Sequence, residues 1–238
     1  MGFARCLIAA LLFTTGAALA APVGIAVSPI RLDLQAPKPS ASLTVSNGDS
    51  SPRRFQIEVL RWTQQDGRDV FVPADELLAN PPLFELAPGA RQVLRVGLLV
   101  ATPRDTEVAY RVYISEVPRA EQPAAGQLRL LLRMGVPVYA IPQSGARPAW
   151  QWSARRDAGH YVIRADNSGN VHQRRQKLRV LDADSGALLG ESDNFRDVLA
   201  GAHHEWRFVA RPPYASRIRL SSASDSGVDA ATIPLASR

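Results

Sequence analysis

The chain has 238 residues, 46% of them hydrophobic, with 28 Lys+Arg against 22 Asp+Glu and a formal net charge of +6. That length accommodates one large domain or two of about 100 residues, each with a hydrophobic core. The basic residues stand singly or in pairs (Arg53-Arg54, Arg155-Arg156, Arg174-Arg175), with no K/R-rich run and no aromatic-plus-basic platform, so nucleic acid is not an expected partner.

The N-terminus reads as an export signal. Arg5 supplies a short positive start, and Leu7 to Phe13 is an apolar run too short to span a bilayer. Ala18-Leu19-Ala20 then gives an A-x-A cleavage pattern, which makes residues 1–20 a signal peptide and Ala21 the mature N-terminus. Arg5 leaves with the signal, so the formal charge falls from +6 to +5. The single cysteine, Cys6, leaves too; it lies early in the apolar run, where a lipoprotein acceptor does not. The exported chain then forms no disulfide and carries no thiol chemistry. No later stretch approaches 18 consecutive apolar residues, so stable membrane insertion is not expected.

Nearly all of the rest reads as strand and turn, punctuated by 18 prolines and 16 glycines. Ile25 to Leu34 is the first strand, with Ser28-Pro29 marking an edge or a break. Ser42 to Asn47 follows and ends in the turn Asn47-Gly48-Asp49. Arg54 to Thr63 alternates, with Phe55, Ile57, Val59 and Arg61 on one face and Gln56, Glu58, Leu60 and Trp62 on the other. Gln65-Asp66-Gly67 turns the chain into Val70 to Val72, and Asn80-Pro81-Pro82 breaks it. Leu83 to Leu86, a turn at Pro88-Gly89, Arg91 to Leu98 and Val108 to Val117 complete the run, and a short polar loop spans Pro118 to Gly126. Next comes Gln127 to Tyr139, in which Leu128, Leu130, Leu132, Met134, Val136 and Val138 share one face. Pro137 marks this strand as an edge, and an apolar edge is an aggregation hazard unless something is meant to sit there. On pattern alone, a core strand and a docking strand both fit.

Pro142 to Pro148 is small, polar and bounded by prolines, which suits a linker at 143–148 between domains at 21–142 and 149–238. The pattern then restarts with strands at Trp150 to Ala154, Tyr161 to Asp166, Gln176 to Asp182, Ala187 to Glu191, Glu205 to Ala210 and Arg217 to Ser222, with a turn at Asp182 to Gly186. The expected fold class is all-β: two sandwiches of short antiparallel strands, immunoglobulin-like but without the inter-sheet cysteine pair. The two halves look alike in type and not in sequence.

Catalytic chemistry is hard to place. There is no G-x-S-x-G elbow, no glycine-rich phosphate loop and no H-E-x-x-H. The histidines are His160, His172, His203 and His204; none pair with zinc-ligand helical spacing, and His203-His204 falls in a predicted turn. No metal, cofactor or catalytic residue is expected, and the chain reads as a binding protein. Trp62, Trp150, Trp152 and Trp206 read as core rather than ligand platforms.

Several segments, in order, resemble the periplasmic pilus chaperones of chaperone–usher pathways. Ala26 to Leu34 (AVSPIRLDL) resembles the family's first strand with its basic residue at Arg31, and Leu43 to Asn47 (LTVSN) the next strand and turn. Asn80 to Val96 (NPPLFELAPGARQVLRV) carries the most specific pattern, P-P-x-F-x-L-x-P-G-x-x-Q-x-V/L-R. Tyr110 to Pro118 (YRVYISEVP) resembles the penultimate strand of the first domain, and Gln127 to Tyr139 falls where the family places its last one.

The resemblance implies two Ig-like domains in a boomerang arrangement and a non-catalytic activity, donor-strand complementation. A pilus subunit that lacks its own last strand is completed by a strand of the chaperone. Here Leu128, Leu130, Leu132 and Met134 would fill the subunit's groove. The implied partners are such a subunit and an outer-membrane usher, in the periplasm. The family also anchors the subunit's C-terminal carboxylate with a basic residue on the first strand, matching Arg31, and a lysine on the last strand. This chain has Gly135-Val136-Pro137-Val138-Tyr139 there and no lysine, which resembles the family's divergent, archaic branch. Arg111 on the neighbouring strand is the first substitute, followed by Arg133 and Arg129, since a guanidinium can grip a carboxylate with two parallel hydrogen bonds. The competing expectation is a structural adhesin or fibre component built from the same kind of domain.

Overall fold

The computed structural model describes residues 24–100, 104–118, 130–224 and 227–236; the segment read as a signal, Leu128 and Arg129 lie outside these residues. Alternation of apolar and polar residues yields strands throughout. The first ten are β1 (Ile25–Ser28), β2 (Leu32–Leu34), β3 (Ser40–Asn47), β4 (Arg53–Gln65), β5 (Arg68–Pro73), β6 (Leu77–Asn80), β7 (Leu83–Leu86), β8 (Arg91–Leu98), β9 (Val108–Glu116) and β10 (Arg133–Ala140). They make one sandwich. One sheet has the order β1-β3-β8-β6; the other has β2-β10-β9-β4-β5, with β7 also on β4. The inward residues of both sheets, among them Leu43, Val45, Phe55, Leu94, Val112, Ile114 and Val138, form a single buried core.

The predicted first strand is two strands in opposite sheets. β1 pairs with β3, and β2 pairs in parallel with β10. Pro29, which lacks an N–H and cannot extend a ladder, stands between them. Strand β6 was not predicted. Its four residues run straight into Asn80-Pro81, so the proline signal hid it.

The second sandwich contains β11 (Trp150–Asp157), β12 (His160–Asn167), β13 (Gln173–Asp182), β14 (Leu188–Ser192), β15 (Arg196–Val198), β16 (His203–Val209), β17 (Arg217–Ser224) and β18 (Gly227–Ala236). Its strand order is β14-β13-β17-β18-β11-β12-β16, with β15 on β13. β15 and β18 were not predicted, and His203-His204, expected in a turn, open β16 instead. His204 is enclosed there edge-on to Trp206, with ring centroids 4.6 Å apart.

The two sandwiches share a construction that their sequences conceal. Each has a buried asparagine at the end of an early eight-residue strand, β3 in one and β12 in the other. Asn47 Nδ2 donates to the carbonyls of Ser51, Leu86 and Ala87, and Asn167 Nδ2 donates to those of Val171 and Val198. Each side-chain oxygen accepts from the backbone N–H two residues on, Asp49 or Gly169, at 3.0 Å. Each backbone carbonyl accepts from a glycine with positive φ in a second turn, Gly89 or Gly201. The side chain thus ties its own turn to the end of a second strand in the same domain.

Candidate functional site

The site grows from β10. Antiparallel pairing with β9 runs from Arg133↔Ser115 to Ala140↔Val108. Just before it, Glu116 N donates to Leu132 O at 2.7 Å. In this register the even-numbered N–H groups of β10 face β9 and the odd-numbered ones face away. On that far side β2 covers only Val138 to Ala140. The odd N–H groups of Arg133 and Gly135 therefore lie along an edge that pairs with no strand among the described residues. Pro137, whose missing N–H would point the same way, interrupts nothing.

Side chains on the core-facing side of the same segment run from solvent into the interior. Leu130 is 75% exposed and Leu132 41%; Met134 is half-buried against the core, and Val136 and Val138 are 4% and 0% exposed. Periodicity is unchanged along this series, while burial is not. The series is core strand beyond Met134 and bare apolar edge before it. The root of the bare part is fixed by Glu116. Its buried carboxylate accepts from Arg53 Nη1 at 2.8 Å and from the Leu132 backbone N–H at 3.3 Å.

The other face of this sheet, where it meets the second sandwich, holds two of the arginines singled out by sequence. Trp62, Ala109 and Tyr139 pack against Leu199 of the second sandwich. Trp62 is core, as its sequence suggests, and its cover comes from the other domain: it shares a face of β4 with the exposed Gln56 and Glu58. Tyr139 stacks flat on His172, with ring centroids 3.5 Å apart. Desolvation holds the Tyr139 hydroxyl above its usual pKa, with Asp197 and Glu107 pushing the same way. The junction is held further by Gln64, which donates to Asp197 O and accepts from Leu199 N, and by buried Glu107, which accepts from His172 N at 3.0 Å and lies 2.8 Å from His172 Nδ1.

Arg31 and Arg111 flank Tyr139. The Arg31 guanidinium lies 5.6 Å from the Tyr139 ring and donates to both carboxylate oxygens of Asp33, at 2.9 and 2.8 Å. It lines a cleft of about 290 Å³ between the domains, with Glu107, Ile141, His172 and Arg174. Arg111 lies 4.2 Å over Trp62 and 5.9 Å from Phe71, and its buried Nε has no hydrogen-bond partner among the described residues. Arg133 is apart from both. It pairs with Glu58 at 2.9 Å and lies 4.1 Å over Tyr113, on the exposed part of the face. Sequence reasoning missed Glu107, His172 and Glu116 as site residues, although Glu116 lies inside the Tyr110 to Pro118 segment that resembles the family. Among the described residues no group of acidic, His or Cys side chains could hold a metal ion.

With this geometry in view, the profile described as pili and flagellar-assembly chaperone, PapD N-terminal domain, matches residues 24–146. The chain belongs to that family. Chaperone protein LpfB of Salmonella typhimurium is 26% identical over 150 residues, 60% of this chain and 62% of that protein, so the chain spans under two thirds of the length of this curated relative. Among solved structures, a chain of the CsuC–CsuE chaperone–tip adhesion subunit pre-assembly complex from the archaic Csu pili of Acinetobacter baumannii superposes with TM-score 0.67 at 21% identity, covering 90% of this chain and 100% of that one. The complex of SafA pilin with the SafB chaperone of Salmonella enterica gives 0.61 at 19% identity, covering 90% and 97%. These likenesses establish the fold: two Ig-like sandwich domains in a boomerang arrangement.

Proposed function

We propose that this protein is a periplasmic chaperone that binds and stabilises pilus subunits by donor-strand complementation and delivers them to an outer-membrane usher. The observation that carries this reading is the burial gradient on β10. Leu130 and Leu132 carry the apolar series of a strand into solvent, beside an edge whose N–H groups at Arg133 and Gly135 pair with no strand among the described residues. An incomplete Ig-like subunit supplies both missing parts, a groove for alternate side chains and a strand for the free edge. Each leucine buried in this way contributes about 1.5–3 kcal/mol. Leu128 extends the same series, and Met134, half-buried in the chaperone itself, ends it. The activity needs no cofactor and no catalytic residue. Residues 1–20 act as the export signal, and 143–148 link an N-terminal domain at 21–142 to a C-terminal one at 149–238.

The subunit's C-terminal carboxylate is anchored at the junction. Arg111 is the best-supported anchor. Its plane is held by two aromatic rings, and it has no ion-pair partner among the described residues, so a carboxylate meets no competing anion. Arg31 contributes by exchanging Asp33 for the incoming carboxylate. Arg133 already has Glu58 and lies away from the junction, which makes it the weakest of the three.

Affinity purification from periplasm tests the reading. The expected result is a 1:1 complex with a small Ig-like subunit, lost in Leu130→Asp while the variant's melting temperature stays that of the wild type. Persistence of the complex in Leu130→Asp would refute the donor role.

A further inference from the structure

Gly135 has no conformational reason to be glycine. It sits inside β10, its φ is not among the positive values of the chain, and glycine in a strand interior costs backbone entropy. Its reason is space. Gly135 is directly opposite Tyr113, and Pro137 is opposite Arg111. A Cβ placed at Gly135 would lie 3.0 Å from Tyr113 Cε1 and 3.2 Å from Arg111 Cδ. Both side chains of β9 therefore lean across the bare backbone of β10. From there Tyr113 meets Phe71 edge-on at 6.0 Å, and Arg111 reaches its place over Trp62 at 4.2 Å.

We infer that Gly135 is a positioning residue for Arg111: by carrying no side chain, it lets the stem of an arginine from the neighbouring strand occupy the surface of the last strand and fixes where a subunit's carboxylate is held. The inference rests on the reading of Arg111 as the anchor. It accounts for Gly135-Val136-Pro137 where the family has a lysine on this strand. The basic group at this place comes from β9, and β10 contributes an absence. A larger residue at 135 displaces the stem, and the guanidinium with it, off the Trp62 ring.

The test has two arms. In the free, isotopically labelled chaperone, the Arg111 Nε–Hε resonance is shifted by the Trp62 ring current. Gly135→Val is expected to move it toward the position of exposed arginines, and Gly135→Ala to move it part-way; Gly135→Ala also serves if the valine variant fails to fold. An unmoved resonance in a folded variant overturns the inference. In the second arm, the subunit recovered with the wild-type chaperone is compared with the same subunit extended by two glycines at its C-terminus. Gly135→Val should weaken capture of the native subunit about tenfold, the scale of one lost charge-assisted hydrogen bond, and leave the already weaker extended subunit unchanged. Equal losses for both subunits overturn the link to the carboxylate. If Arg111→Ala captures the native subunit as well as the wild type does, the anchor reading itself falls, independently of whether the resonance moved.

Discussion

The last strands of the two domains are built alike and finished differently. Both β10 and β18 run antiparallel to the penultimate strand and then meet an early strand of their own domain in parallel, β2 over Val138 to Ala140 in one and β11 over Leu235 to Ala236 in the other. In each, a proline stands one residue before the parallel pairing begins, Pro137 or Pro234, with its missing N–H turned from the penultimate strand. Before that proline the side chains diverge. β10 emerges from Leu130 and Leu132. β18 carries Val228, Asp229, Ala230 and Ala231, and Asp229 forms a close ion pair with Arg175, a residue only 1% exposed. Small residues and a charge blunt one edge, and leucines arm the other. The shared fold supplies the open position, and side chains decide whether it is used.

That comparison can be broken at either strand. Leu130→Asp should abolish subunit capture, whereas Val228→Asp, at a comparably exposed position of β18, should leave both capture and stability within error of the wild type. Loss of capture in Val228→Asp would mean the two edges are not functionally distinct.

The blunting of β18 has its own cost when disturbed. Arg175 is stacked 4.2 Å over Trp150, donates to Gln173, and is held below the usual arginine pKa chiefly by burial, with Asp229 opposing. Asp229→Ala strands that cation, and the expected loss is about 2–4 kcal/mol, measured by denaturant unfolding. A loss under about 0.5 kcal/mol would show that the ion pair is incidental.

The two asparagines sharpen the parallel between domains. Asn47→Ala and Asn167→Ala each remove the buried side-chain hydrogen bonds that join two turns, and each should cost about 1–3 kcal/mol. The sites do not share partners, so the double variant should show the sum. A large loss at one site and none at the other would end the claim that the domains are built on the same device.

The smallest effect expected is that of pH at the junction. Burial, then Arg196 and His203, lowers the His204 pKa to about 4, against Asp69 and Glu205. The unfolded chain binds a proton near pH 6.5 and the folded one does not until about pH 4. Stability is therefore fully present above pH 6.5 and falls as pH drops toward 4, by about 1–2 kcal/mol after allowing for solvent screening. Asp166 and Glu205, lowered first by hydrogen bonds from Arg164 and Arg155, add a loss in the same direction at lower pH. His204→Gln should flatten the profile between pH 6.5 and 4; an unchanged slope would place the titration elsewhere.

Much of this was legible in the sequence. Alternation located most strands and their inward faces, and Asn80 to Val96 pointed to the family. What alternation cannot register is where the opposing sheet ends. Leu130 and Val138 sit in the same periodic series, yet one is bare and the other sealed. Nor does it register what a second domain covers, which is why Trp62 is buried on a face that begins with Gln56 and Glu58. Arg174-Arg175 read as one more scattered basic pair, although Arg175 is the largest fully buried side chain among the described residues. β18 escaped notice because Gly227 to Ala236 is mostly small residues. The asparagine device escaped because the turns around Asn47 and Asn167 use different residues for the same hydrogen bonds. At the site, Arg31 and Arg111 were named from the resemblance, but what separates them, the Asp33 pair of one and the aromatic clamp of the other, exists only across strands.

Amide hydrogen exchange along β10, with and without bound subunit, tests strand addition most directly. In the free chaperone the N–H groups of Met134 and Val136, which face β9, should already be slow, and those of Arg133 and Gly135 fast. Binding of a subunit should slow Arg133 and Gly135 together and leave the even positions nearly unchanged. Capture of the subunit without protection of those two amides would contradict donation of this strand.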